Sequence, residues 1–358
     1  MSHPYMKLKV VDITRETSDA ITIHFEHPDK KNIPFKPGQF LTLMPVVNGK
    51  QERRSYSLCS APYESPRLSV TVKRVPGGLV SNFLVDNLKV GELMEVMEPI
   101  GNFNILCHCD NCRTVVLFGA GSGITPLMSI AKSVLKEEQN SRVLLVYGNR
   151  NEDSVIFGKE LEQMEQQFGN RFVVEHVYSQ PKNGNVAHRG RMNRSMLLKI
   201  MQHQGLTASS EAEYYMCGPE GMMEEVREAL NLLKVPAQRI HRESFVSNKS
   251  QASDQHGTVS DGDDGEITTQ TVKVIYEGSE YEFEVEPDQT ILEAALEQDI
   301  DLPYSCQAGL CTACRGKCLS GKVHLDEREG LSDAELNEGY VLNCVGHPLT
   351  SGVVIEIG

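Results

Sequence analysis

At 358 residues the chain is long enough for two or three domains, each able to bury its own core, and its 40% hydrophobic and 23% charged content is that of a soluble globular protein. The opening MSHPYMKLKVVDITRE has no apolar leader run, and nothing approaches the roughly eighteen consecutive apolar residues of a membrane span, so a cytoplasmic protein is expected, with no membrane partner. The formal charge of −14 is concentrated: residues 267 to 358 hold 17 acidic and 5 basic side chains, residues 1 to 246 hold 27 and 29, a balance that argues against nucleic-acid binding.

The first hundred residues read as short strands, AITIHF, QFLTLMPVV, RRSYSLCS, RLSVTVKRV and ELMEVMEPI, separated by Pro, Gly and Asn signals. That spacing predicts an antiparallel β-barrel or sandwich. Within it, Arg54 can fork to a diphosphate and Tyr56 offers a ring for a flat cofactor to lie on. Gly77 and Gly78 let backbone approach phosphate ahead of a helix N-terminus near Ser81. Singly, each of these residues is equally at home on an ordinary surface strand.

From Thr114 strands alternate with helices: TVVLFGAGSGITPLMSIAKSVLKE, then RVLLVYGNR, SVIFGKELEQMEQQF, FVVEHVYS and EYYMCGPEGMMEEVREALNLL. Alternation of this kind predicts a parallel sheet with ligands beyond the carboxyl ends of its strands. In the turn Gly119-Ala120-Gly121-Ser122-Gly123-Ile124-Thr125-Pro126 the glycines alternate, unlike G-x-G-x-x-G, but small residues still admit dinucleotide phosphates to a helix N-terminus. Cys217, in MCGP, falls at the same edge, either bordering a reacting ring or simply buried. HRESF at His241 to Phe245 closes the segment. Residues 247 to 266 are polar, acidic and poor in large apolar side chains, which predicts a flexible linker reaching roughly 25 Å.

The last segment opens with a hairpin turning at Glu277 and Gly278, continues through a helix in TILEAALEQD, and reaches LPYSCQAGLCTACRGK. Cys306, Cys311 and Cys314 stand as C-x4-C-x2-C, with Cys344 downstream in VLNCVG: the plant-type pattern for a [2Fe-2S] cluster. Three thiolates from one tight loop need a backbone free of bulk, which Ala308 and Gly309 supply. A structural zinc site is the alternative, but zinc loops usually pair C-x2-C with a second C-x2-C, which is absent here. Cys318 is read as a neighbour of the loop and not a ligand. The run Cys107-His108-Cys109-Asp110-Asn111-Cys112 offers soft donors, yet one continuous run rarely closes a tetrahedron, so an exposed loop is expected.

Together RSYS with its Gly-Gly phosphate turn, GAGSGITP, MCGP and the four cysteines resemble the ferredoxin-NADP reductase superfamily, in the domain order of the reductase components of multicomponent oxygenases. The resemblance implies an FAD-binding β-barrel over residues 1 to 106, an NAD(P)-binding α/β domain over 107 to 246, and a β-grasp [2Fe-2S] ferredoxin domain over 267 to 358. Carried over by position, it implies that Arg54, Tyr56 and Ser57 hold FAD, with Lys73, Gly77, Gly78 and Ser81 around the diphosphate. Gly121, Thr125 and Cys217 would place the nicotinamide, and Glu243 and Phe245 would supply an acid and an aromatic ring. Ser57, Cys217 and Glu243 are the implied catalytic residues. Arg150 is placed to meet a ribose 2′-phosphate, which favours NADPH over NADH.

A nicotinamide gives two electrons as hydride and the cluster takes one at a time, so FAD is the carrier required between them. A plant-type cluster near about −400 mV suits a strong one-electron donor. The implied acceptor is a di-iron oxygenase acting on an aromatic acyl-CoA and docking on the acidic ferredoxin domain. A hybrid-cluster protein, a Rieske oxygenase, or a signalling role without turnover are the other readings.

Overall fold

The computed structural model describes residues 5–184, 186–206, 211–245, 267–307, 309, 311–328 and 330–357. The expected linker at 247 to 266 and Ala308 of the cysteine loop lie outside these residues. By contact density the chain forms two compact units, one comprising Tyr5–Pro99 with Phe103–Phe245, the other mainly Val246–Gly358.

The first unit begins with β1 (Tyr5–Thr17), β2 (Ala20–Glu26) and β3 (Phe40–Leu43), a small hairpin β4 (Val46–Val47) and β5 (Lys50–Gln51), then β6 (Arg54–Ser57), β7 (Leu68–Lys73), α1 (Leu79–Asn87) and β8 (Leu93–Met97). Six of these strands form an antiparallel sheet in the order β6-β3-β8-β1-β2-β7. The ends meet where Leu58 bridges Val70 and the Cys59 amide donates to the Ser69 carbonyl at 2.8 Å. That closure makes the sheet a barrel, and Leu8, Ile23, Leu41, Leu58, Val70 and Val96 fill it. Helix α1 packs Leu84 and Val85 against the same core.

The parallel part follows: β9 (Thr114–Ala120), α2 (Ile124–Glu137), β10 (Arg142–Asn149), α3 (Gly158–Phe168), β11 (Phe172–Tyr178), β12 (His188–Arg189), α4 (Arg194–His203), β13 (Ala212–Cys217), α5 (Glu220–Leu232) and β14 (Ile240–Glu243). Its order is β12-β11-β10-β9-β13-β14. Strand alternation explains the two apolar faces. Val115, Leu117, Val143 and Leu145 pack on α2 and α3, while Val116, Phe118, Leu144 and Val146 pack on α4 and α5.

Two local features depart from the sequence reading. The helix expected from Ser154 starts only at Gly158. Val155, Ile156 and Phe157 form a buried apolar plug instead, with Phe157 in the left-handed region at φ 62°. Helix α4 has no counterpart among the expected elements; Asn193 caps it by accepting the Met196 amide hydrogen, and Leu197, Ile200 and Met201 bury one face of it.

In the second unit β15 (Gln270–Tyr276), β16 (Ser279–Val285), α6 (Ile291–Glu297), β17 (Arg315–Ser320), β18 (Val323–Leu325), α7 (Asp333–Asn337), β19 (Tyr340–Leu342), β20 (Gly346–Pro348) and β21 (Val353–Ile357) follow in order. The main sheet runs β16-β15-β21-β17-β19, with β15 and β21 parallel, and α6 lies on it through Ile291, Leu292 and Ala295. Glu277 and Gly278, both at positive φ, make the two-residue hairpin turn expected from the sequence. Thr290 and Glu293 close a capping box at the start of α6. Among the described residues, no helix is long and apolar enough to cross a membrane.

Candidate functional site

Strands β9 and β13 are neighbours, yet the chain runs outward from β9 to β12 on one side before returning to β13 on the other. The crevice at such a switch point is where open α/β sheets take their ligands. The register places three of the sequence-selected positions there. Cys217 pairs with Gly119 on one side and with Glu243 of β14 on the other, so glycine turn, thiol and carboxylate stand in one row at the carboxyl edge.

The turn itself is tightly held. Gly121–Gly123 makes a single 3-10 turn into α2; the Tyr147 hydroxyl donates to the Gly121 carbonyl at 2.9 Å, and the Thr125 hydroxyl donates to the Ser122 carbonyl at 3.0 Å. Gly123 has to be glycine: a Cβ there would overlap the carbonyl oxygen of Cys217. The Cys217 thiol is fully buried, and burial together with the neighbouring Glu243 pushes its pKa well up, so it stands as a neutral S–H and not a thiolate.

The barrel contributes the facing residues. Ser57, at the end of β6, is buried, and its hydroxyl donates to Glu243 Oε2 at 3.5 Å, across 186 positions of sequence. Tyr56, one residue earlier, is half-buried against the barrel core, and burial pushes its hydroxyl pKa up. Arg54 is exposed, with Nη1 donating to the Arg53 carbonyl at 2.6 Å and lying 3.4 Å from Glu52. The Lys73 ammonium lies 3.4 Å from where a Gly121 Cβ would stand. Gly78 is the N-cap of α1, and the Ser81 hydroxyl accepts the Val75 amide hydrogen at 3.1 Å, folding the 75 to 78 turn onto the helix start. Gly77 sits in that turn at φ 71° with open space beside it. Phe245 is 47% exposed, and Arg150 is exposed at the end of β10, its carbonyl accepting the Gln180 amide hydrogen at 2.7 Å.

A clasp not seen in the sequence holds barrel and parallel sheet together. The Ser129 hydroxyl of α2 donates to the Ser60 carbonyl at 2.6 Å, and Glu16 of β1 accepts the Phe157 amide hydrogen at 3.2 Å. Lys132, mostly buried, sits 2.7 Å from Glu160 and 3.4 Å from Glu64. Burial alone would depress the Lys132 ammonium, but the two carboxylates outweigh it and keep it charged. The only sequence signal was small or polar residues on the buried face of α2, which points to contact without naming the partner.

In the second unit the four cysteines converge. Cys311, Cys314 and Cys344 are buried, Cys314 Sγ lies 3.2 Å from Cys344 Sγ, and the Cys306 thiol meets those of Cys311 and Cys344. Mutual hydrogen bonding and burial push the Cys311 and Cys344 thiols well up. A sulfur-only pocket this close-packed ionises only around cations, and four thiolates from C-x4-C-x2-C with a distant cysteine are the donor set of a [2Fe-2S] centre. The loop has no room for more: a Cβ on Gly309, at φ 69°, would lie 2.7 Å from Glu327 Cβ. Asn343 braces it, donating from Nδ2 and from its amide to the Cys314 carbonyl at 2.9 and 3.1 Å. The Cys318 thiol points elsewhere, donating to the Ser320 carbonyl at 3.2 Å.

Family models match along the chain in the same order: an oxidoreductase FAD-binding domain over residues 7–105, an oxidoreductase NAD-binding domain over 117–228, and a 2Fe-2S iron-sulfur cluster binding domain over 274–349. The chain is 34% identical to one of the subunits of 1,2-phenylacetyl-CoA epoxidase from Escherichia coli (strain K12), covering 98% of this chain and 97% of that one. It is 35% identical to the ferredoxin reductase component of 3-ketosteroid-9-alpha-monooxygenase from Rhodococcus rhodochrous, covering 98% and 96%. The solved structure of phthalate dioxygenase reductase superimposes with a TM-score of 0.60 at 23% identity, over 99% of this chain and 98% of that one.

Proposed function

The chain belongs to the ferredoxin-NADP reductase superfamily, among the reductase components that join FAD-binding, NAD-binding and 2Fe-2S domains, and from that premise we propose that it draws electrons from NADPH and delivers them singly to a partner oxygenase. The observation that carries this reading is the row Gly119, Cys217, Glu243 with the Ser57 hydroxyl reaching it from the barrel, in a chain that also gathers four cysteines. Arg54, Tyr56 and Ser57 would hold FAD, whose chemistry would supply the change from two-electron hydride transfer to the single-electron transfer a [2Fe-2S] cluster accepts.

The chain's own residues bind, orient and exclude water. Arg54, Lys73 and the turn of Gly77, Gly78 and Ser81 gather cationic and backbone donors for a diphosphate, and Tyr56 offers a ring. Phe245, exposed at the end of the nucleotide segment, has surface free for a planar ligand to cover. Ser57 and Glu243 supply a hydroxyl and a carboxylate where a proton must be held, and the neutral Cys217 thiol walls the crevice without adding charge. Gly121 and Thr125 shape the nicotinamide side, and Arg150 meets the 2′-phosphate. Cys306, Cys311, Cys314 and Cys344 hold the cluster.

The acceptor is proposed as a di-iron oxygenase of the phenylacetyl-CoA epoxidase kind, in the cytoplasm. The likeness to a component of that epoxidase supports it, and a steroid monooxygenase is the competing acceptor by a similar likeness. Docking is assigned to an acidic face of the second unit, and exposed glutamates there support it. Glu280, Glu282 and Glu284 are exposed at alternate positions of the edge strand β16 and so share its solvent side. The purified protein, mixed separately with each purified oxygenase under NADPH, decides the acceptor. Turnover of phenylacetyl-CoA but not of steroid supports the proposal, and failure with the epoxidase overturns it. Arg150→Ala is expected to raise the KM for NADPH about tenfold and leave that for NADH unchanged; an unaltered NADPH value removes Arg150 from the role.

A further inference from the structure

The run from Cys107 to Cys112 is unused by the chemistry above. It is an exposed turn, as expected, closed by the Asn111 amide donating to the His108 carbonyl at 3.0 Å. The turn nevertheless brings unlike metal donors together. One ligand atom from each of His108, Cys109 and Asp110 lies within 4.8 Å of the other two. His108 Nδ1 is 3.4 Å from Asp110 Oδ2, and Cys109 Sγ is 3.9 Å from Asp110 Oδ1. Around a tetrahedral zinc ion with bonds of about 2.0 to 2.3 Å, donor atoms stand roughly 3.3 to 3.8 Å apart. The first spacing lies in that range and the second just above it, to different oxygens of Asp110, so one ion is reached by rotation of these exposed side chains.

The base of the turn is fixed by a single buried carboxylate. Glu138, whose side chain is fully buried, accepts from the His108 amide at 3.4 Å, Asn111 Nδ2 at 2.7 Å, Arg113 Nη2 at 2.6 Å and Nε at 3.1 Å, and the Ser141 hydroxyl at 2.7 Å. Those bonds anchor the turn on both sides of the three donors, so the ordering cost left for binding falls on the exposed side chains of His108, Cys109 and Asp110 and little on the backbone. The two flanking thiols are engaged otherwise: Cys107 is half-buried against the core beneath the parallel sheet, and Cys112 donates to the Asn140 carbonyl at 3.6 Å.

We propose that His108, Cys109 and Asp110 form a surface site for one borderline divalent cation, zinc in the first instance, with a fourth position open to water. A mixed nitrogen, sulfur and carboxylate set suits zinc over magnesium or calcium, which take oxygen. Binding replaces the weak bond from the Asp110 amide to His108 Nδ1, at 3.3 Å, and releases the Cys109 proton to solvent.

The test uses the full-length holoprotein, replete in flavin and iron, dialysed against zinc alone and then analysed for metals. One zinc per chain is expected, absent from the triple variant His108→Ala, Cys109→Ser, Asp110→Ala, with iron, flavin and NADPH-driven dye reduction unchanged. Equal zinc in both proteins overturns the site. Cys109→Ser alone is expected to weaken zinc binding about tenfold or more. X-ray absorption at the zinc edge is expected to show a single sulfur neighbour; none, or more than one, overturns the donor set.

Discussion

Ser57 ends a barrel strand, yet its hydroxyl lies 3.5 Å from a carboxylate at the far end of the parallel sheet. Ser57→Ala is expected to slow flavin reduction by NADPH about tenfold or more with flavin content unchanged, measured by stopped flow; an equal rate would dismiss the hydroxyl. Gly123 is constrained by packing alone, since a methyl group there meets the Cys217 carbonyl. Gly123→Ala is therefore expected to cost about 1 to 3 kcal/mol, seen as a lower unfolding midpoint, because neither the turn nor strand β13 can give way independently. Cys318 and Cys311 test the cysteine assignment from opposite sides. Cys318→Ser should keep the visible spectrum of the cluster, since its thiol faces Ser320, whereas Cys311→Ala should lose it.

Among elements, the junction of α2 with β10 depends on Glu138. Burial by itself would raise this carboxyl, but hydrogen bonds from Arg113, Asn111 and Ser141 outweigh it and hold the pKa below its ordinary value. A depressed folded pKa gives stability that is present above the ordinary carboxylate range and is lost as pH falls through the folded value. Removing the carboxylate leaves the half-buried Arg113 charge without its carboxylate partner, so Glu138→Ala is expected to cost about 3 kcal/mol at neutral pH. The gap between wild type and variant, read from denaturant midpoints, should narrow below about pH 4; a gap that persists at low pH would show that the charge was not responsible. Elements also show where periodicity misled. Val155, Ile156 and Phe157 continue an apolar pattern into α3, but all three are needed as core under the sheet and so cannot wind with the exposed helix.

For the whole molecule, charge separation has a measurable consequence. Residues 267 to 358 carry a net −12, and the glutamates of β16 present part of it on one side of an edge strand, where they also discourage pairing with another strand. Electron delivery to the oxygenase is expected to fall about tenfold between low and roughly 1 M salt, while reduction of a small dye changes little. Equal salt dependence for both acceptors would remove the acidic face from docking. The chain by itself determined the antiparallel and parallel sheets, the strand-to-helix alternation, the helix that begins after Thr290 and the C-x4-C-x2-C cysteine spacing. All of these are recorded in spacings of a few residues, where covalent geometry ties pattern to structure. The tertiary structure alone decided that Ser57 meets Glu243, that Lys132 and Ser129 clasp the barrel, that α4 covers the second face of the sheet, and that Glu138 fixes the donor-bearing turn at His108. Each is a contact between segments tens to hundreds of positions apart, and only the packing of complete sheets and helices sets which such segments meet.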